Sequence, residues 1–151
     1  MTEITEGSKA PAFDMPADGG GRTTLSGPTV LYFYPKADTP GCTNEARDFT
    51  EHADAFAAAG FTVIGVSKDP VKKLDRFKAK YDLKVTLASD EETGVTEAFG
   101  VWVEKSMYGK TYMGIERATF LLDGDGVVRR VWRQVRVKGH AETVLAAATE
   151  V

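Results

Sequence analysis

The chain has a single cysteine, Cys42, and its surroundings decide how that residue can act. It ends the segment PKADTPGC, residues 35–42, which follows an apolar run and precedes a change to helical spacing. Cys42, Ala46, Phe49, Ala53 and Phe56 succeed one another at intervals of 4, 3, 4 and 3, which places them on one helix face. Cys42 is then expected in the first helical turn. Unpaired N–H groups and the positive end of the helix dipole there favour a thiolate over a thiol, and the thiolate is the nucleophilic form. A lone cysteine in another setting is commonly an inert core residue. Thr39, three residues earlier, can turn its hydroxyl toward the sulfur or toward an oxygen bound there; the same spacing suits a helix N-cap. Pro35 stiffens the entry to the segment and can shield the sulfur from water, while Pro40 and Gly41 allow a sharp turn. Arg117 stands one residue before the apolar run 118–122, where a strand end can aim its fixed donors at a thiolate or a developing oxyanion. A surface pair with Glu116 fits that position as well.

The elements needed to position these groups are legible from periodicity. TVLYFY (29–34) and FTVIGVS (61–67) read as buried strands, with the Cys42 helix between them and Gly60 as its stop. Asp69 and Pro70 read as N-cap and first residue of a helix carrying Val71, Leu74, Phe77 and Tyr81 on its apolar stripe. A short strand near 85–88, a short helix near 91–99 and a hairpin of 118–122 with 127–132 across DGDG follow, then a closing helix at 140–150. Residues 15–27 read as turns around a short strand near 22–25. Residues 100–114, with Trp102, Tyr108 and Tyr112, form the least regular long piece, expected to be a lid or a mobile loop. Strand–helix–strand–helix followed by a hairpin implies an α/β fold: a mixed sheet between helical layers, in three layers.

Composition narrows the partners. With 151 residues, 42% apolar and 27% charged, the chain suits one domain spanning 1–151. A net charge of −3 disfavours nucleic acid and anionic membranes, and the basic residues between Arg129 and Lys138 alternate with apolar ones as on the wet face of a strand. No run is long enough to span a bilayer, and residues 1–10 are polar and acidic, unlike a signal peptide. With one cysteine no internal disulfide forms, so a reduced, cytoplasmic setting is expected. His52 lies ten residues beyond Cys42 on the same helix, about 15 Å along its axis, too far to act as its base. His140 reads as a cap or surface residue before the last helix. Neither histidine gives metal-site spacing with Cys42, and the lack of C-x-x-C excludes a dithiol exchanger.

Pro35, Thr39 and Cys42 together form P-x-x-x-T-x-x-C, which resembles the peroxidatic signature of the peroxiredoxins. YFYPKADTPGCTNEA, GVSKDPVKKLDRFKAKY, YGKTYMGIERATFLLDGDG and VWRQVRVKGHAETVL extend the resemblance over nearly the whole chain, to the bacterioferritin comigratory protein or peroxiredoxin Q subfamily. The resemblance implies a thioredoxin-like fold with an N-terminal extension, and reduction of hydrogen peroxide and organic hydroperoxides with no cofactor and no metal. It assigns Cys42 as peroxidatic cysteine and Thr39 as a hydrogen-bonding partner of the peroxide. Pro35 becomes the pocket shield, and Arg117 the residue that activates the thiolate and orients the peroxide. Many relatives carry a resolving cysteine five residues after the peroxidatic one or on the following helix; here those places hold Arg47 and Lys78. A one-cysteine enzyme resolved by an external thiol, whether glutathione, glutaredoxin or thioredoxin, is therefore expected, as a monomer or weak homodimer. A redox sensor read by a partner protein and a structural domain with an inert cysteine are the rival readings.

Overall fold

In the computed structural model, residues 4–151 are described, so the first three residues of the polar N-terminal stretch lie outside the described residues. β1 (Asp14–Pro16) and β2 (Arg22–Thr24) form a small hairpin. β3 (Thr29–Phe33) leads through the cysteine segment into α1 (Pro40–Glu51) and α2 (Ala53–Ala58). β4 (Thr62–Ser67), α3 (Val71–Tyr81), β5 (Thr86–Ser89) and α4 (Val95–Ala98) follow. Then come β6 (Trp102–Met107), β7 (Lys110–Ile115), β8 (Ala118–Leu122), β9 (Val128–Trp132) and α5 (His140–Ala148).

The central sheet has the order β5-β4-β3-β8-β9, parallel among β3, β4 and β5 and antiparallel on the β8–β9 side. β3 and β8 are buried at every position, as expected of β-branched and aromatic runs covered on both faces. Side chains alternate between two cores. Val30, Tyr32 and Tyr34 join residues of α1, α2, α3 and α5 on one face; Leu31, Phe33 and Phe120 join Val95 of α4 and the N-terminal segment on the other. Gly65 is opposite Tyr32 in the register, and a Cβ there would lie 2.5 Å from the tyrosine Cζ. The missing side chain lets the Tyr32 ring lie over β4 and stack on Phe49, with centroids 4.6 Å apart.

Register also places the chemistry. Phe33 pairs with Val66 on one side and with Ala118 on the other, so the carboxyl end of β3 and the amino end of β8 lie side by side. The loop after β3 therefore emerges next to Arg117.

Four local expectations are corrected. The helix expected to run on toward Gly60 breaks at His52, whose N–H bonds the carbonyl of Phe49 (3.2 Å) in a tightened turn before α2 starts. Asp69 is not the cap of α3; Pro70 holds that position, and the Asp69 carboxylate instead accepts the Ala37 N–H (2.7 Å) and the Ser67 hydroxyl (2.8 Å). The helix expected near 91–99 is only Val95–Ala98. Buried Asp90 accepts the N–H groups of Val95 (2.9 Å) and Thr96 (2.7 Å) and the Thr93 hydroxyl, so the intervening residues form a turn closed by Gly94 at φ 73°. Finally, 100–114 is no irregular loop. It contains the β6–β7 hairpin, turned by Tyr108 (φ 52°) and Gly109 (φ 76°), the positive pair that a tight two-residue hairpin requires. Among the described residues no helix is long and apolar enough to cross a membrane.

Candidate active site

The loop between β3 and α1 is pinned from several directions. Ala37 donates its N–H to Asp69, and Asp38, held at φ 63°, accepts the Tyr81 hydroxyl (2.7 Å) and Lys80 Nζ (3.0 Å) from α3. The Tyr81 and Lys80 bonds hold the exposed Asp38 carboxyl below its ordinary range. Thr39 is the residue at the N-cap of α1, but its side chain caps nothing: its hydroxyl donates to the carbonyl of Lys36 (2.8 Å). Pro40 opens the helix, its missing N–H costing nothing at that position. The first helical bond runs from Thr43 N–H to the Thr39 carbonyl (2.8 Å). The N–H groups of Gly41 and Cys42 lie ahead of it, at the positive end of the helix.

Cys42 is 1% exposed. Arg117 Nη2 donates to its sulfur at 3.3 Å, while Nη1 donates to Glu45 Oε1 at 2.6 Å. One guanidinium therefore spans the cysteine and a carboxylate one turn further along α1. Gly41 makes room for it, since a Cβ there would approach Arg117 Nη2 to 3.3 Å. Pro35 is exposed. Of the residues singled out in the sequence, Cys42 and Arg117 are thus in direct contact, and Thr39 and Pro35 lie on the loop that delivers the cysteine.

Glu45 is a site residue that sequence reasoning did not single out, although its spacing of three from Cys42 was a usable signal. Burial pushes its carboxyl up to about 7 against the opposing pull of Arg117. The same ion pair raises Arg117 above its ordinary value. The partners differ because the Glu45 side chain is 1% exposed and that of Arg117 18%, so desolvation falls mainly on the carboxylate. Glu45 Oε2 and the Tyr32 hydroxyl are buried with no hydrogen-bond partner among the described residues, and burial raises Tyr32 well above its ordinary value.

The alternative partner considered for Arg117 is engaged elsewhere: Glu116 receives Arg133 at 2.7 and 2.9 Å and the Gln134 N–H at 3.0 Å. Arg129 and Arg130 are exposed on β9 and pair with Asp123 and Glu150, but the strand ends at Trp132, so Arg133, Arg136 and Lys138 lie beyond it rather than on the expected strand face. His140 is a correction. It begins α5 buried rather than at the surface, with Nε2 2.8 Å from the Thr119 hydroxyl, and burial with the nearby Arg117 charge lowers it to about 4. Arg47 is exposed on α1, and Lys78 forms an ion pair with Asp18 at 2.7 Å. Among the described residues no group of three or more histidine, cysteine or carboxylate side chains is arranged to hold a metal.

A solvent-shielded thiol at a helix start, touched by an arginine, is arranged for nucleophilic sulfur chemistry, and known proteins share this framework. The AhpC/TSA family model matches residues 7–131, and the chain belongs to that family. Within it the chain is a peroxiredoxin of the Bcp, or peroxiredoxin Q, group, and such proteins are thiol peroxidases. It is 47% identical over 146 residues to a putative peroxiredoxin Bcp of Coxiella burnetii, covering 94% of this chain and 97% of the relative. The bacterioferritin comigratory protein of Xanthomonas campestris, whose structures concern its alkyl peroxide reduction activity, superposes with a TM-score of 0.86 at 46% identity over 91% of this chain and 90% of that one. A Xylella fastidiosa PrxQ mutant gives a TM-score of 0.93 at 36% identity, covering 99% and 98%. The thioredoxin-like fold and the mixed sheet flanked by helices agree with these neighbours.

Proposed function

We propose that the chain reduces hydrogen peroxide and organic hydroperoxides through the Cys42 thiolate, which becomes a sulfenic acid and is regenerated by an external thiol. The observation that carries this reading is the Arg117 Nη2 to Cys42 Sγ contact of 3.3 Å at the first turn of α1. The thiolate attacks one peroxide oxygen along the O–O axis. As the S–O bond forms, the O–O pair leaves on the second oxygen, which departs as water or alcohol after taking up a proton. Charge passes from sulfur to oxygen within a small volume. Arg117 and the N–H groups ahead of the first helical bond are donors already in place for both ends of that transfer. The Thr39 hydroxyl proton is committed to Lys36, so its oxygen is left to accept the O–H of a peroxide and fix which oxygen faces the sulfur. Pro35, at the entry to the cysteine loop, is the residue assigned to shield the pocket.

The second half of the cycle follows from the single cysteine. Substitution mutants of the Xanthomonas campestris relative exist at two different cysteines, whereas this chain has only Cys42. An external thiol attacks the sulfenic sulfur and expels water to give a mixed disulfide; a second thiol releases Cys42. Glutathione, glutaredoxin and thioredoxin all supply that chemistry. Steady peroxide consumption that requires added thiol, and is lost in Cys42→Ser, is the expected result. A single stoichiometric oxidation with no turnover under any thiol would instead support the sensor reading.

A further inference from the structure

One face of α3 carries Lys73, Arg76, Phe77 and Lys80, spaced as neighbours one turn apart. Together with Asp38, from the loop that delivers Cys42, they line a groove of about 350 Å³. Phe77 is buried, while Arg76 and Lys80 are exposed. Arg76 has Lys72 and Lys73 one turn before it and Ala79 and Lys80 one turn after it, so its helical neighbours are mostly cations and include no carboxylate. Like charges at that spacing repel. The adjacent Asp75 is engaged elsewhere, accepting the Gly19 N–H (2.8 Å). Lys73 and Lys80 are paired with Asp69 (3.4 Å) and Asp38 (3.0 Å), whereas Arg76 has no hydrogen bond or ion pair among the described residues. On a chain of net charge −3 this is a concentration of positive charge, and an anion bound there relieves the repulsion.

The two carboxylates that these lysines hold are also anchors of the Cys42 loop. Asp69 accepts the Ala37 N–H (2.7 Å), and Asp38 accepts the Tyr81 hydroxyl (2.7 Å). Cys42 is 1% exposed, so an external thiol reaches its sulfur only when this loop gives way. We propose that the α3 groove is the docking site of the reducing thiol, that it takes a small thiol carrying carboxylates, such as glutathione, and that docking loosens the loop.

A ligand carboxylate binds Arg76 and competes with Asp38 for Lys80 and with Asp69 for Lys73, which weakens both anchors together. Arg76 stands one turn before Lys80, which touches Asp38. Asp38 in turn lies four residues before Cys42, a reach of at most roughly 14 Å, and an extended tripeptide spans about 10 Å. A ligand held at Arg76 therefore keeps its sulfur within the sweep of the loosened loop. Its thiolate attacks the sulfenic sulfur of Cys42: the S–S bond forms, the S–O bond breaks, and the oxygen leaves as water after taking up a proton. Docking and exposure of the oxidised sulfur become one event, confined to the reductive half of the cycle.

This inference rests on the proposed regeneration of Cys42 by an external thiol, and its first test needs no turnover. S-methylglutathione, which keeps both carboxylates and has no thiol, is titrated into the reduced protein and followed by amide chemical shifts. Saturable shifts at Ala37, Asp38 and residues 76–81 are expected, weakened by added salt and lost in Arg76→Glu. The second test forms the Cys42 sulfenic acid with hydrogen peroxide and follows its loss with glutathione, neutral 2-mercaptoethanol or cationic cysteamine. Arg76→Gln should slow the glutathione reaction roughly two- to fivefold and leave that of 2-mercaptoethanol unchanged. Arg76→Glu should slow glutathione further and accelerate cysteamine. Sulfenic acid formation should proceed at the same rate in the parent and both variants. Absence of saturable S-methylglutathione shifts overturns the inference, as does a slowing shared by all three thiols or by the peroxide step. A slowing seen with thioredoxin and absent with glutathione overturns it too, since that marks the groove as a protein-docking surface. Failure of the peroxidase reading shows separately, as no peroxide consumption by the parent protein with any thiol.

Discussion

Arg117→Met is the perturbation whose consequences the structure specifies most fully. The guanidinium donates to the Cys42 sulfur at 3.3 Å and to Glu45 at 2.6 Å, so the substitution removes two charge-assisted hydrogen bonds of different consequence. On the proposed mechanism the bond to sulfur serves the reaction. A charge-assisted bond contributes about 1.5–3 kcal/mol, which corresponds to sulfenic acid formation slowed roughly ten- to a hundredfold. The bond to Glu45 belongs to the fold: without it a buried carboxyl loses its one partner among the described residues and becomes protonated. The double variant Arg117→Met with Glu45→Gln separates the two, restoring stability but not rate. The assay is a rapid-quench single turnover with hydrogen peroxide, trapping the sulfenic acid with dimedone and counting it by mass spectrometry. A rate within twofold of the parent in the folded single variant would refute the role assigned to Arg117.

Other outcomes follow from the same contacts. Thr39→Val should slow sulfenic acid formation by about tenfold in the same quench assay, because it removes the oxygen that the proposed mechanism uses to accept the peroxide proton; an unchanged rate reduces Thr39 to a loop residue bonded to Lys36. Glu45 sits above its ordinary value of 4.5, at about 7, so its contribution to stability is complete below the lower value and is lost as pH rises through the higher. Denaturant titrations should show the parent losing up to roughly 3 kcal/mol relative to Glu45→Gln across that interval, and a constant difference would contradict the burial argument. Gly65→Ala should destabilise the fold by about 1–3 kcal/mol in the same titration, because the new methyl would meet the Tyr32 ring at 2.5 Å.

The parts of this molecule legible in its sequence are those set by local periodicity. The strand at 118–122 matches its expected bounds, and those at 29–33 and 62–67 lie within a residue, because buried β-branched and aromatic runs have few alternatives. The placement of Cys42 at a helix start was equally legible, from an interval pattern that began at the cysteine itself. Hydrogen bonds made across the fold were not. Asp69 and Pro70 look like a cap and first helical residue, yet the Asp69 carboxylate is drawn to the Ala37 N–H, 32 residues away. His140 looks like a surface residue ahead of a helix, and only the packing of α5 on the sheet shows it buried against Thr119. The β6–β7 hairpin escaped because Tyr-Gly is not among the common signals for a turn with two positive φ angles, and its strands carry polar residues on a largely exposed ribbon. Arg117 illustrates the boundary. Its position before a strand was visible, but its choice of Glu45 and Cys42 over the adjacent Glu116 depends on the β3–β8 register.

The central claim is that Cys42 is the atom oxidised by peroxide and that its repair comes from outside the chain. Peroxide titration followed by intact-mass and peptide mass spectrometry, with and without glutathione, tests it most directly. One equivalent of hydrogen peroxide should add a single oxygen, confined to the Cys42 peptide. Added glutathione should convert that species to a mixed disulfide and then back to the thiol, with further peroxide consumed. Oxygen appearing at methionines while Cys42 stays reduced, or peroxide consumption that persists in Cys42→Ser, would contradict the account.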